Sequence, residues 1–378
     1  MRSLSIVRFE AYKLFSHASL WVFLAVMVAG VYLPLQVFTV AAHHPIDYYQ
    51  NAPVTAQQVA KAKREAARLQ KQIQEVPPGT AAHDHISYEI ERDQAILDSA
   101  SGSVEKPVLQ MLQHTIHKLQ REGSTGFVYR MYNLEYHMYR NLPFIGGGGN
   151  VTSGGAMAAD FVKTYGFVIY GAMILVGLSP VFSKEYAAGM AGLLLPARRG
   201  REALVTAKVL ASMLYITVMQ GVLFGVNVLS NFLLFGALGL DYPLQSIPLY
   251  SAPFHLSVWQ YLLVSTGIQW FAGMAFGLLV LWLSSLFSSS LTTFFLASGI
   301  LVLPELLRQF TQAAWADKVF HFSYTGLLQV SGLFAKFEAY NVFGYPVLYP
   351  VLVLLLAAVI CVPIVLLTYQ SFCRHQSA

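Results

Sequence analysis

The chain has 378 residues, 56% hydrophobic and 11% charged, with a formal charge of +5 and a mean hydropathy of +0.52. So little polar surface excludes a soluble globule and marks an integral membrane protein. The stretch 41–160 holds 11 Lys+Arg against 12 Asp+Glu, a net −1, leaving 13 against 7, or +6, on the rest; that excess sits at the ends of apolar runs, which is topology rather than a nucleic-acid surface.

Arg2, Arg8, Glu10 and Lys13 precede an apolar run from Leu20 to Val40. The run is too long for a signal-peptide core and has no cleavage site, so residues 1–19 are expected to form a cytoplasmic interfacial segment and 20–40 a first transmembrane helix. Residues 41–160 form a polar insert. Apolar residues Ala62, Ala66, Leu69, Ile73 and Val76 recur there at steps of four and three, which predicts a helix over 55–76, ended by Pro77-Pro78-Gly79. A second helix is predicted through Ile86, Ile90 and Leu97, and a third from Pro107 through Val108, Met111, Leu112, Thr115, Ile116 and Leu119. The aromatic segment from Phe127 to Tyr139 could lie along the membrane surface, where tyrosine is favoured. The insert contains no cysteine; the two in the chain, Cys361 and Cys373, cannot build a disulfide framework for it.

Five more runs reach the roughly 20 residues a span needs: Phe161–Phe182, Ala203–Phe235, Val258–Phe287, Leu291–Phe310 and Pro346–Tyr369. Only Ser284–Ser290 separates the fourth and fifth, with one long broken helix as the competing reading. The expected fold is therefore all-α: six transmembrane helices with a helical extracytoplasmic domain between helices 1 and 2. Even span number and basic residues place both termini of this multi-pass cell-membrane protein in the cytoplasm. Gln220, Asn227 and Asn231 in the third span and Gln269 in the fourth face either other helices or a cavity. Interhelical hydrogen bonds are the favoured reading, with Gln220, Asn227 and Gln269 as a candidate substrate path in the other.

The chemistry-bearing motifs are few. No Gly-x-x-x-x-Gly-Lys-[Ser/Thr] loop occurs, and Gly146–Gly149 with the following Asn150–Gly155 reads as a linker. Seven of the eleven histidines lie in the insert, among them His83, His85, His114 and His117, but no His-Glu-x-x-His pattern accompanies them, so solvated histidine is favoured over zinc and no metal is expected. No Gly-x-Ser-x-Gly elbow is present. Glu305 and Arg308, after Pro304, read as an ion pair or end anchor rather than a proton relay.

The most informative segment joins the second and third apolar runs. Lys184, Arg198, Arg199, Arg201 and Lys208 fix it on the cytoplasmic side. Ser183 is placed as an N-cap, Glu185 in a first turn where its charge suits the helix dipole, and Pro196 as a stop, giving a short helix over 183–199. Phe182, Glu185, Gly189, Leu194, Leu195, Pro196, Arg198, Arg199 and Lys208 together resemble the coupling helix of the membrane subunits of type-2 ABC exporters, and Val7–Phe15 resembles the interfacial helix before their first span. Tyr186, Ala187 and Met190 depart from the family, where a second acidic residue and a Gly-Thr pair are common.

The resemblance implies a permease subunit, not itself an enzyme, in an ATP-driven exporter of an amphiphilic peptide, antibiotic or lipid. Its partners would be separate cytoplasmic ABC ATPase subunits, which bind the ATP and Mg, a second copy of this chain or a similar permease, and membrane lipid; the chain itself would hold no cofactor. Coupling would fall to Phe182, Ser183, Lys184, Glu185, Gly189, Leu195, Pro196, Arg198 and Arg199. Two other readings remain: a membrane sensor or assembly protein that binds an extracellular ligand through the insert, and a secondary transporter, which would call for an inverted repeat that the sequence lacks.

Overall fold

The computed structural model describes residues 2–34, 37, 56–77, 80–101, 105–142, 154–187, 198–235, 240–241, 243–247, 252–310 and 321–374. An N-terminal helix, α1 (Arg2–Phe15), breaks at Ser16-His17 and continues as α2 (Ala18–Ala25), extended by a π-helical stretch Val26–Tyr32. The two parts meet at 49°. Extended backbone at His17 interrupts the helical ladder, and the Trp21 indole donates to the Phe15 carbonyl across the bend.

Among the described residues the insert supplies four α-helices, α3 (Ala56–Gln72), α4 (Ala81–Ser101), α5 (Glu105–Arg121) and α6 (Phe127–Arg140). The expected stripe on α3 is real, with Ala62 and Ala66 buried, and α3 pairs with α4. The fourth helix was not anticipated: the aromatic segment folds as α6 and packs on α5, held by bonds from Gln113 to the Tyr136 hydroxyl and from Gln120 to Tyr129. Burial raises the pKa of Glu135, and burial together with Glu135 raises that of Tyr139.

The second apolar helix begins earlier than expected. α7 (Gly154–Phe161), a π-helical turn Val162–Gly166, α8 (Phe167–Leu178) and α9 (Pro180–Ala187) run together as one 34-residue apolar unit. Residues 154–160, assigned above to the insert and its linker, are thus helical. Their small side chains explain it: Gly154, Gly155, Ala156 and Ala158 are buried, and α7 packs against α10 (Arg198–Phe235). At 38 residues α10 is about 57 Å long, more than the roughly 30 Å a bilayer core requires. α11 (Val258–Leu286) starts on a Ser257/Gln260 capping box, and α12 (Ser290–Phe310) follows after a short break, so the fourth and fifth runs are separate helices. Pro304 sits inside α12 and does not end it.

Beyond α12 lie two short helices, α13 (Tyr324–Gln329) and α14 (Ser331–Ala335), then strands β1 (Ala339–Val342) and β2 (Tyr345–Leu348), and finally α15 (Tyr349–Arg374). The strands pair antiparallel, Val342 opposite Tyr345. Phe343 and Gly344 form a two-residue turn with φ of 51° and 87°, the primed geometry that suits a twisted hairpin, and the Asn341 side chain accepts the Gly344 N–H. The all-α expectation therefore needs one correction, a small β-hairpin.

Among the described residues five helices are long and apolar enough to cross a membrane, six if the bent pair α1/α2 counts as one span. Close approach is built in where spans meet: a Cβ on Gly273 of α11 would lie 2.4 Å from the Tyr170 ring of α8, and one on Gly277 2.3 Å from Ile216 of α10. Contacts also sort the connections by end. The α6 guanidinium of Arg130 donates to the Gly344 carbonyl and lies 4.5 Å from the centre of the Tyr345 ring, so the insert and the hairpin share one end of the bundle. Arg130→Ala is expected to leave global stability nearly unchanged, since an exposed cation–π pair contributes at most about 1 kcal/mol, while amide hydrogen exchange of 339–348 speeds up; unchanged exchange would show that the hairpin is held by its own turn.

Candidate functional site

At the opposite end, four charged side chains from three elements converge. Lys208 of α10 is 1% exposed, and its ammonium donates to Glu10 Oε2 of α1 at 3.1 Å, to Glu185 Oε1 of α9 at 2.7 Å and to the Val181 carbonyl at 3.0 Å. All three ammonium protons are thereby used. Lys13 of α1 donates to the same Glu185 oxygen at 3.1 Å, and the Phe182 ring centre lies 5.5 Å from the Lys208 nitrogen. Two lysines against two glutamates leave the cluster neutral, as burial of charge demands. One acceptor, Glu185 Oε2, is buried without a hydrogen-bond partner.

The local fold delivers Glu185 here because of Pro180. Proline has no N–H, so the helical ladder is interrupted between α8 and α9 and the first N–H groups of α9 are left over. Ser284 of α11 repairs this: its hydroxyl accepts from the Phe182 and Ser183 amides at 3.1 and 3.3 Å and donates to the Ser179 carbonyl at 2.8 Å. The Ser183 hydroxyl donates to the Ser179 carbonyl and lies 2.8 Å from Ser290 Oγ of α12. Tyr186 reaches the Ser285 carbonyl, and Phe182 packs 5.1 Å from Phe372 near the end of α15. The base of the connection after the second run is thus fixed to α1, α10, α11, α12 and α15.

The sequence-based site is partly rearranged. Phe182, Ser183 and Glu185 come together, but Ser183 lies inside α9 and is not an N-cap; the helix starts at Pro180. Glu185 was expected to face a partner, whereas 5% exposure and two lysines turn it inward. Lys184 is exposed. Gly189, Leu194, Leu195 and Pro196 lie outside the described residues; Arg198 and Arg199 open α10, and their side chains are likewise outside. Lys208, read as one basic residue of the loop, is the hub, and Glu10 and Lys13 join it from 198 and 172 residues away from their partners. A lysine between Ala207 and Val209 in an apolar run was the available signal.

The span amides make interhelical bonds. Gln220 donates to Gln269 at 3.0 Å, Gln269 to the Leu328 carbonyl of α13 at 3.0 Å, and Asn227 to the Ala158 carbonyl of α7 at 3.0 Å. Asn231 donates to the Tyr32 hydroxyl at 2.8 Å. Such bonds fit the interhelical reading better than a substrate path. Among the described residues no group of three or more His, Cys, Asp or Glu side chains could hold a metal ion. Comparison of the chain with known protein families, with curated proteins and with solved structures found no match.

Proposed function

We propose that this chain is the permease subunit of an ATP-driven exporter, energised by separate cytoplasmic ABC ATPases through the connection between α9 and α10. The observation that carries the reading is the attachment of that connection's base. Glu185, Lys208, Glu10 and Lys13 bind α9 to α10 and α1, while Ser183 and Ser284 bind it to α11 and α12. A push on the connection would be carried to these helices together, because a packed, ion-paired junction moves as a unit. Phe182, Ser183 and Glu185 are positioning residues in this scheme, and the exposed Lys184 faces the partner. The resemblance of the Phe182–Lys208 segment to type-2 ABC permeases supplies the partner class. Two copies of the chain, or one with a similar permease, would enclose an amphiphilic cargo.

Purification from the native membrane in mild detergent should recover an ATP-hydrolysing chain. Glu185→Gln keeps shape and loses charge, while Lys208 keeps Glu10 and the 41% exposed Lys13 is left to solvent. It is expected to cost some stability but to assemble, and to lower substrate-stimulated ATP hydrolysis per assembled complex about tenfold, the effect of about 1.4 kcal/mol, with basal hydrolysis retained. Recovery of a signalling chain and no ATPase would turn the reading to a sensor that uses the insert.

A further inference from the structure

Next to the ion cluster, α1, α9 and α10 leave a cavity of about 30 Å³ that opens to the surface. Its lining combines basic and polar side chains, Lys13, His17, Lys184, Lys208 and Glu10, with the apolar Leu14, Gly177, Pro180 and Ala211. The volume is two to three times that of a single water site, room for the oxygens of a phosphate group but not for a folded peptide.

We propose that this cavity binds the phosphate of an anionic membrane lipid. Three features of the site select that ligand. The lining holds three lysines and one carboxylate, and the second carboxylate, Glu185, is occupied by two of those lysines, so the cavity has a net positive field. Lys208 has no proton left to donate and acts through charge alone, whereas Lys13 has used one of three and Lys184 is exposed on the rim. The His17 ring adds a donor at the bend between α1 and α2.

Depth selects a lipid rather than a dissolved anion. α1 turns Phe9 and Tyr12 outward, 64% and 71% exposed, while its other face holds Glu10 and Ala11 against the bundle. A short helix with aromatic residues on its free face and lysine and arginine beside them lies at the headgroup boundary. The cavity is bounded by that helix on one side and, on the other, by Gly177 in the last turn of α8 and by Ala211 of α10, so a ligand at the headgroup boundary meets it directly. Glu10 opposes an anion, and it is neutralised by Lys208.

The proposal concerns lipid binding by the chain alone and does not depend on an ATPase partner. The full-length protein would be purified and equilibrated with mixed micelles of phosphatidylcholine and phosphatidylglycerol, and bound lipid counted by native mass spectrometry. Phosphatidylglycerol is expected to be retained at least tenfold over phosphatidylcholine. Lys184→Gln should reduce retention about fivefold, the weight of one basic residue at an anionic surface, and the double variant with His17→Gln should reduce it further; both residues are exposed, so folding is unaffected, and circular dichroism would verify this. A parallel titration with inorganic phosphate separates the sources: displacement of the lipid by millimolar phosphate would overturn the lipid assignment in favour of a soluble phosphate. Equal retention of both lipids, or retention unchanged in the double variant, would overturn the site itself.

Discussion

Lys208→Met is expected to be the most destabilising single change in the protein, lowering stability by about 3–5 kcal/mol. The substitution keeps the length and most of the volume of the side chain, so the effect is electrostatic rather than a cavity. It leaves Glu10 and Glu185, 7% and 5% exposed, with only Lys13 in reach of one of them, and the Val181 carbonyl without its donor. A buried charge that loses its partner costs far more than the pair itself contributes. In thermal unfolding of the detergent-solubilised protein the midpoint should fall by of order 10 °C. The companion experiment removes the buried charges together: Glu10→Gln, Glu185→Gln and Lys208→Met should regain most of the lost stability, because the remaining Lys13 is 41% exposed and can be solvated, while the shape-matched neutral side chains carry little desolvation cost. If the triple variant is as unstable as the single one, the cluster holds the fold by geometry and not by charge balance. If Lys208→Met melts within about 2 °C of the parent, a shift worth less than about 1 kcal/mol, the burial argument fails.

That cluster also shows where sequence reading stops. Helix identity followed from local quantities: apolar length for the spans and the four-and-three stripe for α3. The charged hub depends on pairing Glu10 with Lys208, 198 residues apart, and no local rule pairs them. Proximity of charge to an apolar run singles out Lys208 as unusual and leaves its partner open. Ser183 illustrates a different failure. A serine before a glutamate three-residue turn reads as a cap, yet Pro180 had already started the helix, and the amide groups that needed a cap found Ser284 from another helix. The segment after α12 was missed because its elements are too short for periodicity: α13 and α14 have six and five residues, and the hairpin turn uses Phe343-Gly344 in place of the Asn-Gly that would have announced it. Val330, between the two short helices, adopts φ 58° and is fully buried, a backbone state a β-branched residue takes only when packing imposes it.

Gly273→Ala is expected to destabilise by about 1–3 kcal/mol, although alanine is the better helix former by about 1 kcal/mol. The sign is decided by space. A Cβ at position 273 would stand 2.4 Å from Tyr170 Cε1 and Oη and 2.6 Å from Cζ. The Tyr170 ring is fully buried and its hydroxyl donates to the Ile216 carbonyl, so it cannot swing aside as a surface side chain would. The backbone of α8 or α11 must then move, and with it the junction that Gly277 and Ile216 make one turn further on. Gly221→Ala on α10 is the control, since no atom lies within 4 Å of the added carbon; there the propensity term acts alone and stability should stay level or rise by up to about 1 kcal/mol. Tyr170→Phe in the Gly273→Ala background should not restore stability, because two ring carbons remain within 2.6 Å of the new methyl after the hydroxyl is gone. Thermal midpoints for the three variants test the close approach directly. Opposite signs at 273 and 221 support it, whereas equal, small effects at both positions would mean that α8 and α11 sit farther apart than the 2.4 Å contact implies.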